Sequence, residues 1–174
     1  MSAIIVVVLM IDQALKVYVK THFALGETYP ITSWFYICFV ENDGMAFGIE
    51  WFDKLFLTLF RMAAVVLLCW YSYVLVWRKE NIRGSYLCTI AFVIAGALGN
   101  IIDCVFYGRI WGYAGWFYGR VVDMLYFPII TDSSGETLFF RPVFNFADAC
   151  ITSAVIALLI WFRNDLDSTL KMNK

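Results

Sequence analysis

The stretch FNFADACITSAVIALLIWF (144–162) decides how the chain is read. From Ile151 to Phe162 it is apolar almost throughout, as a helix that crosses hydrocarbon must be. Yet Asp148 stands at its head. A carboxylate inside a bilayer costs about 3 kcal/mol even on lenient insertion scales. Asp148 therefore sits at a helix start, where the macrodipole favours an anion, or faces a polar interior.

Composition widens the point. The 174 residues are 62% hydrophobic and 19% aromatic, with a mean hydropathy of +0.74. A soluble domain is about half apolar, and a core of this size cannot hide the excess. A single integral membrane domain over residues 1–174 is expected. The net charge of −1 carries no signal for nucleic acid, and none is expected as a partner. The cysteines (Cys38, Cys69, Cys88, Cys104, Cys150) are odd in number and form no CxxC, which argues against zinc and a disulfide framework. One histidine, His22, excludes a multi-histidine metal site. No metal or cofactor is expected.

Four stretches reach the roughly 20 residues that a span requires: 3–22, 55–77, 85–106 and 143–163. The first is interrupted by Asp12, Gln13 and Lys16 and lacks the basic start of a cleavable signal peptide. Arg78, Lys79 and Arg83 lie between spans two and three, and Arg163, Lys171 and Lys174 follow span four. Basic residues beside spans mark the cytoplasmic side. Both termini are then cytoplasmic, and segments 23–54 and 107–142 lie outside.

In the first outer segment, TYPITSWFYICFVEN (28–42) is aromatic and β-branched, which favours strands. The following NDGMAFGIEWF opens on a turn signal. The second holds YGRIWGYAGWFYGR (107–120), an interfacial loop or short helix, and the polar turn TDSSGE (131–136). The expected fold is a membrane all-α bundle of four transmembrane helices. A small β element and an interfacial loop or short helix lie on its outer face.

The polar residues of the spans point to chemistry. Asn100 and Asp103 end span three, and Asn145 and Asp148 begin span four. A spacing of three places each pair on one helical face, and the topology puts both at one depth near the outer leaflet. Asp123, in GRVVDMLYF (119–127), lies just before span four. Three carboxylates and two carboxamides can therefore converge. Asp12 and Lys16 are an i,i+4 ion pair at greater depth, and Arg61 in span two has no assigned role.

No G-x-S-x-G, Ser/His pair or activated cysteine is present. Two carboxylates within about 3–5 Å share one proton near neutral pH. The ionised member can take a proton from water attacking a carbonyl, and the protonated one can later protonate a leaving amine. That is aspartic peptidase chemistry. A proton-coupled transporter using Asp12, Asp103 and Asp148 as a relay is the alternative. Its polar groups would string across the bilayer instead of clustering, and the spans lack internal symmetry. A scaffold without activity leaves the two N-x-x-D pairs unexplained.

DQALK (12–16), ENDGMAFG (41–48), AGALGNIID (95–103), GRVVD (119–123) and FNFAD (144–148) occur in that order. Together they resemble the lipoprotein signal peptidases, the type II signal peptidases of the bacterial inner membrane. The resemblance implies that Asp123 and Asp148 are the catalytic dyad. It implies that Asn42, Gly44, Asn100, Asp103 and Asn145 position substrate, and that Asp12 and Lys16 support the fold. The implied substrate is a prolipoprotein with a diacylglyceryl cysteine, cut on the N-terminal side of that cysteine. Membrane lipids are expected partners, and a monomer is the default expectation. Two departures stand out. Cys104 occupies the place of an arginine that usually follows the third-span aspartate. Segments 104–123 and 128–142 are longer than the pattern predicts.

Overall fold

The computed structural model describes residues 1–43, 54–77, 82–131, 137–139 and 142–171. Gly44, most of NDGMAFGIEWF and TDSSGE, and the basic pair Arg78 and Lys79 lie outside the described residues.

Helix α1 (Ser2–His22) leads to strands β1 (Thr28–Pro30) and β2 (Tyr36–Asn42). Helices α2 (Lys54–Trp77) and α3 (Gly84–Ile102) follow. A π-helical turn (Asp103–Tyr107) and a single helical turn, α4 (Gly108–Ile110), extend α3. Strands β3 (Val121–Tyr126), β4 (Ile130–Thr131) and β5 (Thr137–Phe139) precede α5 (Phe146–Ile160) and α6 (Arg163–Lys171).

Helix α3 is the hub, packed by α1, α2 and α5. Its Tyr86, Ile90, Ala91, Ile94, Ala95, Gly96, Gly99 and Asn100 are buried. The outward faces are apolar, with Val66, Leu67 and Trp70 on α2 and Leu159 and Ile160 on α5 all exposed. The inside instead holds Asp12, Lys16, Asn100 and Asp103. Apolar surface outside and polar groups inside is the arrangement that hydrocarbon solvent demands.

Among the described residues, three helices are long and apolar enough to cross a membrane: Ser2–His22, Lys54–Trp77 and Gly84–Ile110. The expected fourth span divides. Helix α5 has 15 residues, about 22 Å at 1.5 Å each, and the chain then bends by 80° into α6. The cause is local. Arg163, Asn164 and Asp165 follow the apolar run, and α6 lies against the bundle instead of continuing it. Thr169 bonds Tyr71 at 2.6 Å, Tyr71 bonds Tyr86 at 2.9 Å, and Arg83 pairs with Asp165 at 3.6 Å.

At the opposite end lies an antiparallel sheet of order β1-β2-β3. Strands β1 and β2 come from the segment expected to form strands, whereas β3 was read only as the approach to the last span. VVDMLY is β-branched and aromatic. Its burial on both faces hid the alternation that marks a half-solvated strand. Val40 pairs with Asp123 and Asn42 with Val121. Between Ile37 and Val40, β2 carries an irregularity, since Ile37 pairs with Leu125. A bulge of this kind re-aims the residues beyond it. The expected interfacial segment is α4 plus a loop that folds back. Phe117 N–H donates to Val105 O and Gly119 N–H to Cys104 O.

Two glycines of AGALGNIID set the helix spacing. A Cβ on Gly96 would lie 2.5 Å from Ala147 O, and one on Gly99 would lie 2.6 Å from Asp12 Oδ2. Gly99→Ala therefore displaces Asp12 and should destabilise by about 1–3 kcal/mol. Gly84→Ala meets nothing within 4 Å and, at a helix position, should not destabilise. Thermal unfolding in detergent separates the two: a lower midpoint for Gly99→Ala alone.

Candidate active site

The site forms where the sheet meets the ends of α1, α3 and α5. Asp148 is placed by a capping box. Asn145, the N-cap of α5, accepts the Asp148 N–H at 2.9 Å, and Asp148 Oδ2 accepts the Asn145 N–H at 3.4 Å. Such a cap is worth about 1 kcal/mol and holds Asp148 in the first turn, where the helix dipole favours a carboxylate. Asn145 and Asp148 thus do not share a helical face; their spacing of three is the spacing of the cap.

Asp123 enters from β3 and is 2% exposed. Two carboxamides donate to it: Asn145 Nδ2 to Oδ1 at 2.7 Å, and Asn42 Nδ2 to Oδ2 at 3.1 Å. Asn100 Nδ2 donates to Asp148 Oδ1 at 2.7 Å, and Asn145 Nδ2 also donates to Asn100 Oδ1 at 3.1 Å. The two carboxylates are thereby tied through the amides of Asn100 and Asn145. Burial first, and the nearby Asp148 carboxylate second, push the Asp123 carboxyl up to about 7. Near neutrality that carboxyl keeps a share of its proton.

Beneath the amides sits Lys16, fully buried. Its ammonium has three N–H groups and three acceptors: Asp103 Oδ2 at 2.8 Å, Asp12 Oδ2 at 2.9 Å and Asn100 Oδ1 at 2.9 Å. A lysine can only donate, so this contact orients the Asn100 amide with its NH₂ toward Asp148. The ion pair of α1 was expected deeper than the cluster; it is bonded directly to it. Asp12 Oδ1 also accepts the Ala147 N–H at 3.0 Å, securing the start of α5 from another helix.

Asp103 is fully buried, with Oδ1 accepting from Gln13 at 3.0 Å and Oδ2 from the Val122 N–H at 3.2 Å. Its oxygens join α1, the π-turn and β3. Of the expected site residues, the structure brings together Asn42, Asn100, Asp103, Asp123, Asn145 and Asp148 with Asp12 and Lys16. Gly44 lies outside the described residues.

Three participants were not among the expected site residues. Gln13 donates to Asp103 and accepts from Tyr107 Oη at 3.1 Å; its place in DQALK beside Asp12 was the available signal. Arg61 of α2 donates to Cys104 Sγ at 3.4 Å. A guanidinium therefore stands beside the position where the resembled family carries arginine, delivered from a different helix. Arg120 pairs with Glu41 and Asp43 on either side of Asn42.

Apolar spans enclosing paired carboxylates, with a small sheet over one end, define the class: a membrane-bound peptidase. The profile of the signal peptidase (SPase) II family matches residues 4–163, and the chain belongs to that family. The chain is 43% identical to the lipoprotein signal peptidase of Porphyromonas gingivalis over 185 aligned residues, 92% of this chain and 81% of that protein. It is 34% identical to the lipoprotein signal peptidase of Amoebophilus asiaticus, over 86% of this chain and 72% of that one. A solved bacterial membrane enzyme superposes with a TM-score of 0.69 at 26% identity, covering 95% of this chain and 88% of that one.

The lysine contact is testable as a structural keystone. Lys16→Met strands two buried carboxylates and should cost about 3–5 kcal/mol, read as loss of the monodisperse peak on size exclusion in detergent. Adding Asp103→Asn removes one of the stranded charges and should recover part of that peak.

Proposed function

We propose that the protein removes signal peptides from prolipoproteins by water attack at the Asp123–Asp148 pair. The observation that carries this reading is the cross-linking of two carboxylates by Asn100 and Asn145 at the end of a membrane bundle. Asp123 is assigned the proton. Asp148, held by the Asn100 amide and the start of α5, acts as base.

The steps follow from those protonation states. Asp148 takes a proton from water as its oxygen bonds to the scissile carbonyl carbon. The Asp123 carboxyl donates a hydrogen bond to the carbonyl oxygen as charge develops there. In the tetrahedral intermediate the C–N bond breaks as Asp123 passes its proton to the leaving nitrogen. The proton taken from water stays on Asp148, so the pair again holds one proton, and its titration belongs to both groups together.

The substrate is a prolipoprotein whose cysteine bears diacylglycerol, cut on that cysteine's N-terminal side. The acyl chains keep such a substrate in the bilayer, each buried methylene contributing about 0.8 kcal/mol. A site at the membrane edge reaches the bond without extracting the lipid. The reading includes α5 as a fourth span, one domain over the whole chain, a monomer, both termini in the cytoplasm, and the site near the outer leaflet of a bacterial inner membrane. Arg83 and Arg163, at the end opposite the sheet, support that orientation. Asn42, Asn100 and Asn145 position the pair, Asp103 frames it, and Asp12 with Lys16 anchors α1.

Purified protein with a diacylglyceryl prolipoprotein should release the signal peptide on a gel. Asp123→Asn and Asp148→Asn should each remain folded and lose about 10³-fold or more in rate. Turnover by either folded variant at the wild-type rate would sink the dyad. Rising pH deprotonates Asp123, so cleavage should fall on the alkaline side of a limb near 7; initial rates from pH 5 to 9 measure it.

A further inference from the structure

Asn42 is the last residue of β2. Its carboxamide must hold Asp123 from the end of a strand, where a ladder frays most easily. Val40 is directly opposite Asp123, so Asn42 reaches it diagonally. What steadies this strand end is Arg120, the residue before β3 begins. Its Nη1 lies 3.2 Å from Glu41 Oε2, and its Nε lies 3.4 Å from Asp43 Oδ1. One guanidinium thus grips the residues on both sides of Asn42.

The grip is itself supported. The Arg120 N–H donates to Tyr113 Oη at 2.7 Å, and its guanidinium lies 5.6 Å from the centre of the Tyr113 ring. Glu41 is 10% exposed and also pairs with Lys20. The Lys20 ammonium sits over Tyr113 at 5.1 Å, Trp111 at 5.3 Å and Phe39 at 5.6 Å. Asp43 is held from its other side by Lys54 at 2.7 Å, the first residue of α2. Partial burial and aromatic walls lift this cluster above the near-zero worth of an isolated surface pair. The 104–123 segment, longer than the family pattern predicts, brings Trp111 and Tyr113 to it.

We propose that Arg120 is a positioning residue of the reaction, straddling Asn42 and holding its carboxamide against Asp123. The inference rests on the peptidase reading above. Arg120 touches neither carboxylate of the pair; it acts through Asn42. A planar guanidinium holds its donors in a fixed fork, whereas a lysine carries a single ammonium on a flexible stem.

The test is cleavage of a diacylglyceryl prolipoprotein by full-length wild type, Arg120→Gln, Arg120→Lys, Asn42→Ala and the Asn42→Ala/Arg120→Gln double variant. Each is first checked by thermal unfolding in detergent. Arg120 is 44% exposed, so Arg120→Gln should fold as wild type does. It should lower kcat by about tenfold, the effect of a misplaced site group, with KM unchanged, and Arg120→Lys should fall between. The amide of Asn42 draws the Asp123 carboxyl downward, so releasing it should move the alkaline limb of the pH profile up. Asn42→Ala should move that limb the same way, and Arg120→Gln should add nothing on top of it. An Arg120→Gln protein with unchanged kcat and limb overturns the inference while leaving the peptidase intact. So does a loss that adds in full to that of Asn42→Ala. Absence of cleavage by wild type overturns the peptidase reading and this inference with it.

Discussion

Everything at the sheet end of the bundle depends on one buried ammonium. Lys16 pairs with two carboxylates from two helices, Asp12 and Asp103, and gives its third N–H to Asn100. Each partner then holds something further. Asp12 secures the start of α5, Asp103 secures β3 through the Val122 N–H, and Asn100 reaches Asp148. A charge so placed is tolerated only with every donor satisfied. No buried side-chain nitrogen or oxygen lacks a hydrogen bond among the described residues.

The network needs close backbones, and the glycines of α3 provide them. Gly96 admits the Ala147 carbonyl, and Gly99 admits the Asp12 carboxylate. Small residues at helix seams are how bundles pack where lipid supplies no hydrophobic drive between helices. The same close approach brings the N-terminus of α5 to Asn100, so packing and site geometry are one constraint. The sheet adds the other carboxylate from outside the helices. Asp123 stands on a strand and Asp148 on a helix cap, and the two lie in unlike surroundings. Separating two carboxylates by environment is how one site comes to hold an acid and a base together.

Much of this was readable from residue order. Hydrophobic runs exposed the long apolar helices, because run length is a property of consecutive residues. Asn100, Asp103, Asn145 and Asp148 stood out because polar groups are rare in such runs. Strand β3 was missed because burial on both sides leaves no alternation. The last apolar run persists through Trp161 and Phe162, while helix α5 ends at Ile160, because run length does not mark where a helix bends. The N-x-x-D spacing was noticed and given one meaning, yet it serves two. Asn100 lies within α3, whereas Asn145 caps α5.

By itself, then, the sequence determined that the chain is a membrane protein of apolar spans, and that a few carboxylates and amides stand where lipid should exclude them. Both are written in local composition and run length. The tertiary structure decided which of these groups meet. Asp12 caps a helix 135 residues away, and Lys16 bonds an asparagine 84 residues away. Arg61 of α2 bonds Cys104 from another helix, and Arg120 grips a strand end 79 residues earlier. No periodicity records such pairings. They exist only once α3 has gathered the other helices and the sheet has closed over their ends.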